Sequence, residues 1–524
     1  MDPSVRRPPR APGQTALSRE RLLGLATIAI PCVLGTLLAF YRITDRSLWL
    51  DEAASVAIAS QHGIALWHAM EHDGGNMLAY YALLHVVLDI FGDGALAIRF
   101  VSALATGATV ALAGLLARRV FDRRVAFATG LLTAVSLPLV YWGQDARSYA
   151  LMIALVTASF LAFVALVDHE PGSAASRWAW LAYVASTVLA AYMSFEAALI
   201  VPAQLIALVW APRRPLRSVL SAVLAIGACC VPLLALAQSR GSSQLFWVPK
   251  PNLAQLHQTL EVLLSAGLQP NFHLTATGTA TLVLSGLLVL AAAAAILTAT
   301  QARGSWPALL VLCWLAVPIV LAVLESYLVQ PITLPRAVLV SIPAASLLLA
   351  RGAMDRRVPG VLGVGALAAV LALRALQLAP SYGVSPENWR AASAHVLATA
   401  QPGDCVAFYP SDGRQAFSYY IGTGTAAAAR APRSVLPAVP WPEIKPFVED
   451  YATLSAASLS RIQASCPRLW FVSSHRGVKN GPSASRTDYA RYLALLGSLT
   501  RSYGRGRAVT YGWASPVRVE LFSR

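Results

Sequence analysis

The sequence is dominated by apolar segments that are each long enough to cross a lipid bilayer. A spanning helix needs about 20 residues, and the first such segment covers residues 22–41. Charged residues make up 13% of the chain, about half their share in soluble domains. These features predict an α-helical polytopic membrane protein with about 11 transmembrane helices, at residues 22–41, 95–117, 125–142, 149–167, 178–194, 195–211, 218–237, 278–299, 305–325, 336–350 and 358–379.

The basic residues predict how these helices are oriented. One set of alternate loops holds 17 Arg and Lys residues, and the other set holds five. The first set comprises residues 1–21, 118–124, 168–177, 212–217, 300–304 and 351–357, and the second comprises 42–94, 143–148, 238–277 and 326–335. Basic loops remain in the cytoplasm. We therefore expect a cytoplasmic N-terminal tail at residues 1–21, an uncleaved first span and an extracytoplasmic C-terminal region.

The positions of the basic residues also indicate which partners and which membrane to expect. The net charge of +16 does not indicate nucleic-acid binding, because the arginines cluster in short loops between apolar spans. The apolar residues 77–91 number only 15 and are interpreted as an interfacial or re-entrant helix, since a span there would invert the later loops. Abundant Ala and Arg with three Lys suggest a bacterium of high GC content, hence the plasma membrane.

The predicted domains follow from these boundaries. Residues 22–380 form the transmembrane domain, with outer loops at 42–94 and 238–277, and residues 381–524 form a soluble extracytoplasmic α/β domain. In the latter, patterning predicts a helix at 386–400 with Ser385 as N-cap and a helix at 489–499. It also predicts buried strands at 404–409 and 468–473 and a loop at 422–437.

Cysteine placement leaves one candidate crosslink. Four of the six cysteines lie in predicted spans, where packing is their expected role. Cys405 and Cys466 are the two in the predicted extracytoplasmic domain. An oxidising compartment would allow them to pair, but sequence alone does not establish that they approach each other.

Acidic residues beside predicted outer span ends are the candidate functional groups. Asp51 and Glu52 follow the first span next to Trp49, and Asp145 lies in a short outer turn two residues before Arg147. Ionisable groups at membrane depth are costly and indicate functional sites. The alternative is an ordinary interfacial loop with a tryptophan anchor and solvated carboxylates.

Other polar residues extend this set. Arg99 is placed near the outer end of its span, where it could bind substrate or could reach lipid headgroups. His72 and Asp73 are adjacent in the first outer loop and could contact substrate or form a polar loop pair. A carboxylate can act as a general base on a hydroxyl, and a guanidinium can bind a phosphate leaving group. Together they suit a donor whose sugar is linked to a lipid phosphate.

Several segments resemble, in order, the motifs of GT-C glycosyltransferases, closest to the protein O-mannosyltransferase and aminoarabinose-transferase branch (glycosyltransferase family 39). They are Leu-Trp-Leu-Asp-Glu-Ala at 48–53, Glu-His-Asp-Gly-Gly-Asn-Met-Leu-Ala-Tyr-Tyr-Ala-Leu-Leu-His at 71–85, the stretch from Ile-Phe-Gly to Arg-Phe-Val-Ser at 90–102, Gln-Asp-Ala-Arg-Ser-Tyr at 144–149 and Leu-Pro-Arg at 334–336. The likeness is good over residues 40–200, patchy to about 350 and faint beyond, where 387–390 resemble the start of some bacterial tails. Many members have Pro-Pro where this chain has Gly74-Gly75-Asn76-Met77.

The resemblance implies a role for each matching residue. Asp51 matches the catalytic base of an inverting displacement at the sugar C1, Glu52 its partner, and Asp145 the second acidic residue. Arg99, Arg147 and Arg336 match candidates for binding the donor phosphate. A divalent cation held by Asp51 and Asp145 is an open alternative, because relatives vary.

The resemblance thus implies an inverting transferase at the outer face of the plasma membrane. It would move a sugar, with mannose as the branch's suggestion, from a polyprenyl-phosphate donor to a hydroxyl of a glycan, lipid or protein acceptor. Two alternatives belong to other classes. One is a non-catalytic cell-envelope scaffold of the same shape, and the other is a lipid-sugar transporter or flippase, which would need charges at the bilayer midplane or paired broken helices.

Overall fold

The computed structural model describes residues 14–240, 248–265, 306–422, 426–447, 455–481, 483–513 and 515–524. Its N-terminal part is a bundle of helices. The first ones are α1 (Gln14–Phe40), α2 (Leu50–Ala59), α3 (Ile64–His72), α4 (Leu78–Phe91), α5 (Ala95–Val120), α6 (Arg123–Ala134), α7 (Leu137–Gly143) and α8 (Tyr149–Asp168).

The bundle continues to residue 381. The remaining helices are α9 (Ala174–Met193), a 3-10 turn (Phe195–Leu199), α10 (Ile200–Leu208), α11 (Leu216–Arg240), α12 (Leu253–Leu263), α13 (Trp306–Leu328), a second 3-10 turn (Pro335–Ser341), α14 (Ile342–Ala353) and α15 (Gly360–Ser381). Helices therefore occupy ten of the eleven predicted spans, and the span at 278–299 lies outside the described residues.

Length and composition mark seven of the described helices as able to cross a membrane, or eight if the bent pair α6–α7 is one span. The predicted count of about 11 is larger, because it also included α9, the short segment at Phe195–Leu208 and residues 278–299. Helix α4 has 14 residues, which is too short to span, as expected. Helix α1 begins at Gln14, inside the stretch predicted to be the cytoplasmic tail.

Helices α5 and α8 lie at the centre of the bundle. In the most apolar stretch of α5 and of α8, 61% and 72% of the residues are buried inside the protein, whereas the corresponding stretch of α1 is 28% buried. Close packing of α1 on α5 requires a small residue, because a Cβ at Gly107 would lie 2.0 Å from the Thr36 Oγ1. Small contact residues are how helices approach closely in membranes.

The C-terminal part is an α/β unit. It contains α16 (Trp389–Thr399), β1 (Cys405–Tyr409), α17 (Gly413–Ile421), α18 (Ala426–Arg430), β2 (Arg433–Leu436), α19 (Ala456–Ser465), β3 (Arg468–Ser473), α20 (Ser483–Tyr503), β4 (Arg507–Tyr511) and β5 (Val517–Ser523). The strand order is β2-β1-β3-β5-β4. Strands β2, β1 and β3 are parallel, and β5 and β4 are antiparallel to their neighbours.

Two apolar clusters cover the two faces of this sheet. One joins α16 and α17 to the sheet around Trp389 and Phe417, and the other joins α19 and α20 around Leu469 and Leu499. Because β1 and β3 are covered on both faces, their residues form continuous apolar runs, which is why both strands could be predicted. Helix α17 also packs on α2, so the sheet unit is docked on the bundle.

Two local predictions were wrong. The helix predicted at 386–400 begins at Trp389 with Asn388 as N-cap. Ser385 and Glu387 do not cap it, because they accept hydrogen bonds from the backbone at and just before the start of α2. The predicted loop at 422–437 contains α18 and β2, since β2 completes the edge of the sheet beside β1.

Cys405 and Cys466 form a disulfide bond, with Cα atoms 5.7 Å apart. Cys405 is the first residue of β1 and Cys466 lies between α19 and β3. The two positions meet because β1 and β3 are adjacent parallel strands whose starts lie at the same sheet edge. The bond therefore ties the α19 connection to the centre of the sheet.

Candidate active site

The first turn of α2 separates the two adjacent carboxylates. Successive side chains on a helix point about 100° apart, so Asp51 and Glu52 cannot face the same environment. The Asp51 side chain is 32% exposed, whereas the Glu52 side chain is 2% exposed. The Asp51 carboxylate is thus accessible to a substrate, and the Glu52 carboxylate is buried.

Glu52 forms a two-pronged ion pair with Arg99. The Arg99 Nε donates to Glu52 Oε1 over 2.7 Å and its Nη2 donates to Oε2 over 2.6 Å. The Ala146 backbone N–H donates to the same Oε1 over 2.8 Å. Burial by itself would raise the pKa of Glu52, but the Arg99 charge outweighs it and the pKa is lowered.

Arg99 is fully engaged away from solvent. Its Nη1 donates to the carbonyls of Ile43 and Arg46 over 2.8 and 3.1 Å, and 1% of the residue is exposed. These contacts join the chain before α2, the first turn of α2 and the turn after α7. Arg99 and Glu52 therefore position the site, and neither presents a free group to a phosphate or a sugar.

Asp145 is buried beside the same pair. Both of its oxygens lie 3.1 Å from the Trp49 Nε1, which donates between them, and 2% of the residue is exposed. Burial and the nearby negative charge of Glu52 raise the pKa of Asp145 well above its usual range. Asp145 thus holds the tryptophan that immediately precedes α2.

Two guanidinium groups flank Asp51. The Arg147 Nη2 and the Arg336 Nη1 each lie 3.7 Å from Asp51 Oδ2. Arg147 also donates to the Ser55 hydroxyl over 3.2 Å, one turn further along α2. Arg336 comes from the 3-10 turn before α14, so residues nearly 300 positions apart in the sequence converge here.

Asp73 lies within electrostatic range of this group, and His72 packs elsewhere. Burial opposes the charge of Arg147, but the negative charges of Asp51 and Asp73 raise its pKa. Asp73 accepts a hydrogen bond of 2.9 Å from the Tyr81 hydroxyl, whereas the His72 ring packs 4.3 Å from the Phe447 ring. The turn that links them to α4 uses Gly74 and Gly75 at φ 71° and 75°, a conformation that glycine adopts without strain.

The C-terminal part supplies residues that the sequence analysis did not select. Glu387 Oε2 accepts from the Leu50 backbone N–H over 3.2 Å and from the Trp389 Nε1 over 2.7 Å. The Tyr420 hydroxyl accepts from the Leu48 backbone N–H over 2.6 Å. These contacts fix the entry into α2. The sequence signal was faint, since Glu387 appeared only in the resemblance at 387–390.

The arrangement of Asp51 and Asp145 does not provide the donor set of a divalent-cation site. Such a site needs several ionised or neutral oxygen or nitrogen ligands directed at one point. Asp51 instead faces two cations, and both oxygens of Asp145 face an indole N–H. Among the described residues, neither belongs to a group of three or more potential metal ligands.

One part of the chain matches a known protein family. Residues 76–236 match the family model of dolichyl-phosphate-mannose-protein mannosyltransferase. No curated protein sequence matches the chain significantly.

Solved structures resemble the fold over nearly the whole chain. ArnT from Cupriavidus metallidurans bound to undecaprenyl phosphate has 13% identity and a TM-score of 0.54, covering 94% of this chain and 98% of that one. Oligosaccharyltransferase AglB from Archaeoglobus fulgidus, in complex with an inhibitory peptide and a dolichol-phosphate, has 12% identity and a TM-score of 0.53. That alignment covers 93% of this chain and 73% of AglB. Residues 76–236 are therefore similar to this mannosyltransferase family, and the chain as a whole shares the fold of ArnT and AglB.

Proposed function

We propose that this protein is an inverting glycosyltransferase that moves a sugar from a polyprenyl-phosphate donor to a hydroxyl acceptor, with Asp51 as general base. The observation that carries the proposal is the position of Asp51. It is a partly exposed carboxylate in the first turn of α2, with Arg147 and Arg336 each 3.7 Å from Oδ2. Base and phosphate-binding groups are thus held side by side.

Two guanidinium groups are available to an anionic donor. Without a donor, the charges of Arg147 and Arg336 are offset by nearby carboxylates, those of Asp51 and Asp73. A phosphate that binds the two guanidiniums competes with Asp51 for them. Donor binding would therefore free the Asp51 carboxylate to accept a proton.

The reaction then proceeds as a single displacement. Asp51 accepts the proton of the acceptor hydroxyl while that oxygen attacks the sugar C1. The bond between C1 and the phosphate oxygen breaks, and its electron pair leaves with the polyprenyl phosphate. Arg147 and Arg336 stabilise the charge on this leaving group. Attack opposite the leaving group inverts the configuration at C1.

The class of donor is supported by what the similar proteins bind. ArnT was crystallised with undecaprenyl phosphate and AglB with a dolichol-phosphate. The matched family is named for dolichyl-phosphate-mannose, and mannose is accordingly the first sugar to test. The acceptor is a glycan, a lipid or a protein hydroxyl.

We place the reaction at the outer face of the bacterial plasma membrane. By the positive-inside pattern, the turn at 143–148 and the C-terminal part lie on the same side as the loops that hold only five basic residues. The tail at 1–21 is then cytoplasmic, residues 22–380 form the membrane domain, and residues 381–524 form the extracytoplasmic domain. Reaction at this face also fits the disulfide between Cys405 and Cys466.

The test is transfer of radiolabelled sugar from polyprenyl-phosphate mannose to membrane acceptors. General-base catalysis is worth about 10²–10⁴-fold in rate, so Asp51→Asn should lower transfer by that factor without changing the unfolding midpoint. Asp168→Asn is the matched control, because Asp168 is an exposed carboxylate paired with Arg119. Equal transfer by the wild type and Asp51→Asn would refute the base assignment.

The same assay separates the alternative functions. A scaffold of the same fold would show no transfer from any of several lipid-linked sugars. A lipid-sugar transporter would move the donor across vesicles without forming a glycosylated product. The labelled product, if formed, identifies the acceptor.

A further inference from the structure

A cluster of potential metal ligands lies at the other end of α2 from Asp51. His62 is in the connection that follows α2, and His85 and Asp89 are one turn apart on α4. Their ligand atoms all lie within 4.8 Å of one another. None of these residues belongs to the candidate active site.

The distances match those between ligands of one tetrahedral ion. The His62 Nε2 lies 3.4 Å from Asp89 Oδ1, and the His85 Nε2 lies 3.6 Å from Asp89 Oδ2. Metal–ligand bonds of about 2.0–2.1 Å at tetrahedral angles separate neighbouring ligand atoms by about 3.3 Å. One ligand atom from each residue lies within 4.8 Å of the others, so the three side chains would have to close in by up to about 1.5 Å to bind one ion.

The tautomer of His85 places the lone pair of its Nε2 toward Asp89. The His85 Nδ1 lies 2.8 Å from the Ala59 carbonyl oxygen. A carbonyl can only accept, so Nδ1 carries a proton and the lone pair of a neutral ring lies on Nε2. That nitrogen faces a carboxylate oxygen, which is unfavourable unless a proton or a metal cation lies between them. A carbonyl acceptor on the second ring nitrogen is also the usual support of a metal-binding histidine.

We propose that His62, His85 and Asp89 bind a divalent transition-metal ion, with Zn²⁺ as the best-fitting class. Two imidazoles and one carboxylate suit zinc, whereas Mg²⁺ and Ca²⁺ prefer oxygen ligands. Three protein ligands leave a fourth position open to water or another group.

The ion would link two elements of the site region. Helix α2 carries Asp51 in its first turn, and the metal fastens the connection after its last turn to α4. Ligands that come from two separate elements make the folded state bind more tightly than the unfolded chain. Saturating Zn²⁺ should therefore raise the unfolding midpoint of the full-length protein.

The test is a titration of metal-stripped, full-length protein in detergent with Co²⁺, a coloured substitute for Zn²⁺, followed by competition with Zn²⁺. The wild type should bind one Co²⁺ with the visible absorption of a tetrahedral site. His62→Ala and Asp89→Asn should each weaken binding by more than about 100-fold. Both side chains are at least half exposed, so the fold should persist.

Two matched variants make the outcome decisive. His68→Ala removes another exposed histidine of the same region, one that pairs with Glu71, and should bind as the wild type does. Asp51→Asn should also retain binding, which separates this site from the candidate active site. The proposal is overturned if the wild type binds no Co²⁺, if His62→Ala and Asp89→Asn bind normally, or if only Asp51→Asn loses the ion.

Discussion

Removing the charge of Glu52 tests whether the buried pair with Arg99 holds the site together. In Glu52→Gln the shape is kept, but Arg99 remains 1% exposed with an uncompensated charge. Breaking one partner of a buried pair costs about 3–5 kcal/mol. Two charge-assisted hydrogen bonds at about 1.5–3 kcal/mol each give about 3–6 kcal/mol, which overlaps that range. We therefore expect a loss of about 3–5 kcal/mol in the free energy of unfolding.

A double-mutant cycle isolates the interaction. Glu52→Gln and Arg99→Gln should each be strongly destabilising, while the double variant should recover much of the loss because no buried charge remains. The exposed pair of Arg119 with Asp168, at 2.9 Å, is the control. Asp168→Asn there should change stability by less than about 1 kcal/mol.

The pH dependence adds a second readout with a defined sign. Although burial opposes its ionisation, Arg99 lowers the pKa of Glu52 below the usual 4.5. The stabilisation is therefore fully present above about pH 4.5 and is lost as the pH falls through the folded-state pKa. The unfolding midpoints of the wild type and Glu52→Gln, measured in detergent, should converge in acid. Equal midpoints at pH 7, or a double variant no more stable than the singles, would refute the reasoning.

Three further outcomes follow from the structure. Arg147→Met and Arg336→Met should each reduce transfer from the lipid-phosphate donor by about 10-fold or more, because bidentate phosphate contacts are lost. Lys at either position should restore part of the transfer rate, and unchanged donor saturation curves would contradict this. Burial raises the pKa of Glu387, so its ionisation costs stability as the pH rises through that pKa, and Glu387→Gln should be more stable than the wild type at pH 7 and match it near pH 4; the reverse order of midpoints would argue against it. The Cys405–Cys466 bond joins positions 61 residues apart, so reduction or Cys466→Ser should lower stability by about 2–4 kcal/mol; a midpoint unaffected by reductant would exclude such a contribution.

The membrane bundle could be predicted because its determinants are local. The length of an apolar segment is fixed by bilayer thickness, so ten of the eleven predicted spans coincide with described helices. Strands β1 and β3 were predictable for a similar reason, since a strand covered on both faces is apolar along its whole length. Strand β2 was missed because it lies at the sheet edge within an alanine-rich and glycine-rich stretch.

The sequence by itself determined which charged residues lie between the apolar spans: Asp51 and Glu52 follow the first span, and Asp145 and Arg147 lie in a short turn. Only the tertiary structure decided their roles. Asp51 and Glu52 are adjacent in the chain, and the helical rotation between them leaves one partly exposed and buries the other against Arg99. Partners such as Arg336 and Glu387 are about 300 residues away, and their approach depends on how the helices and the sheet unit pack, which no local pattern encodes.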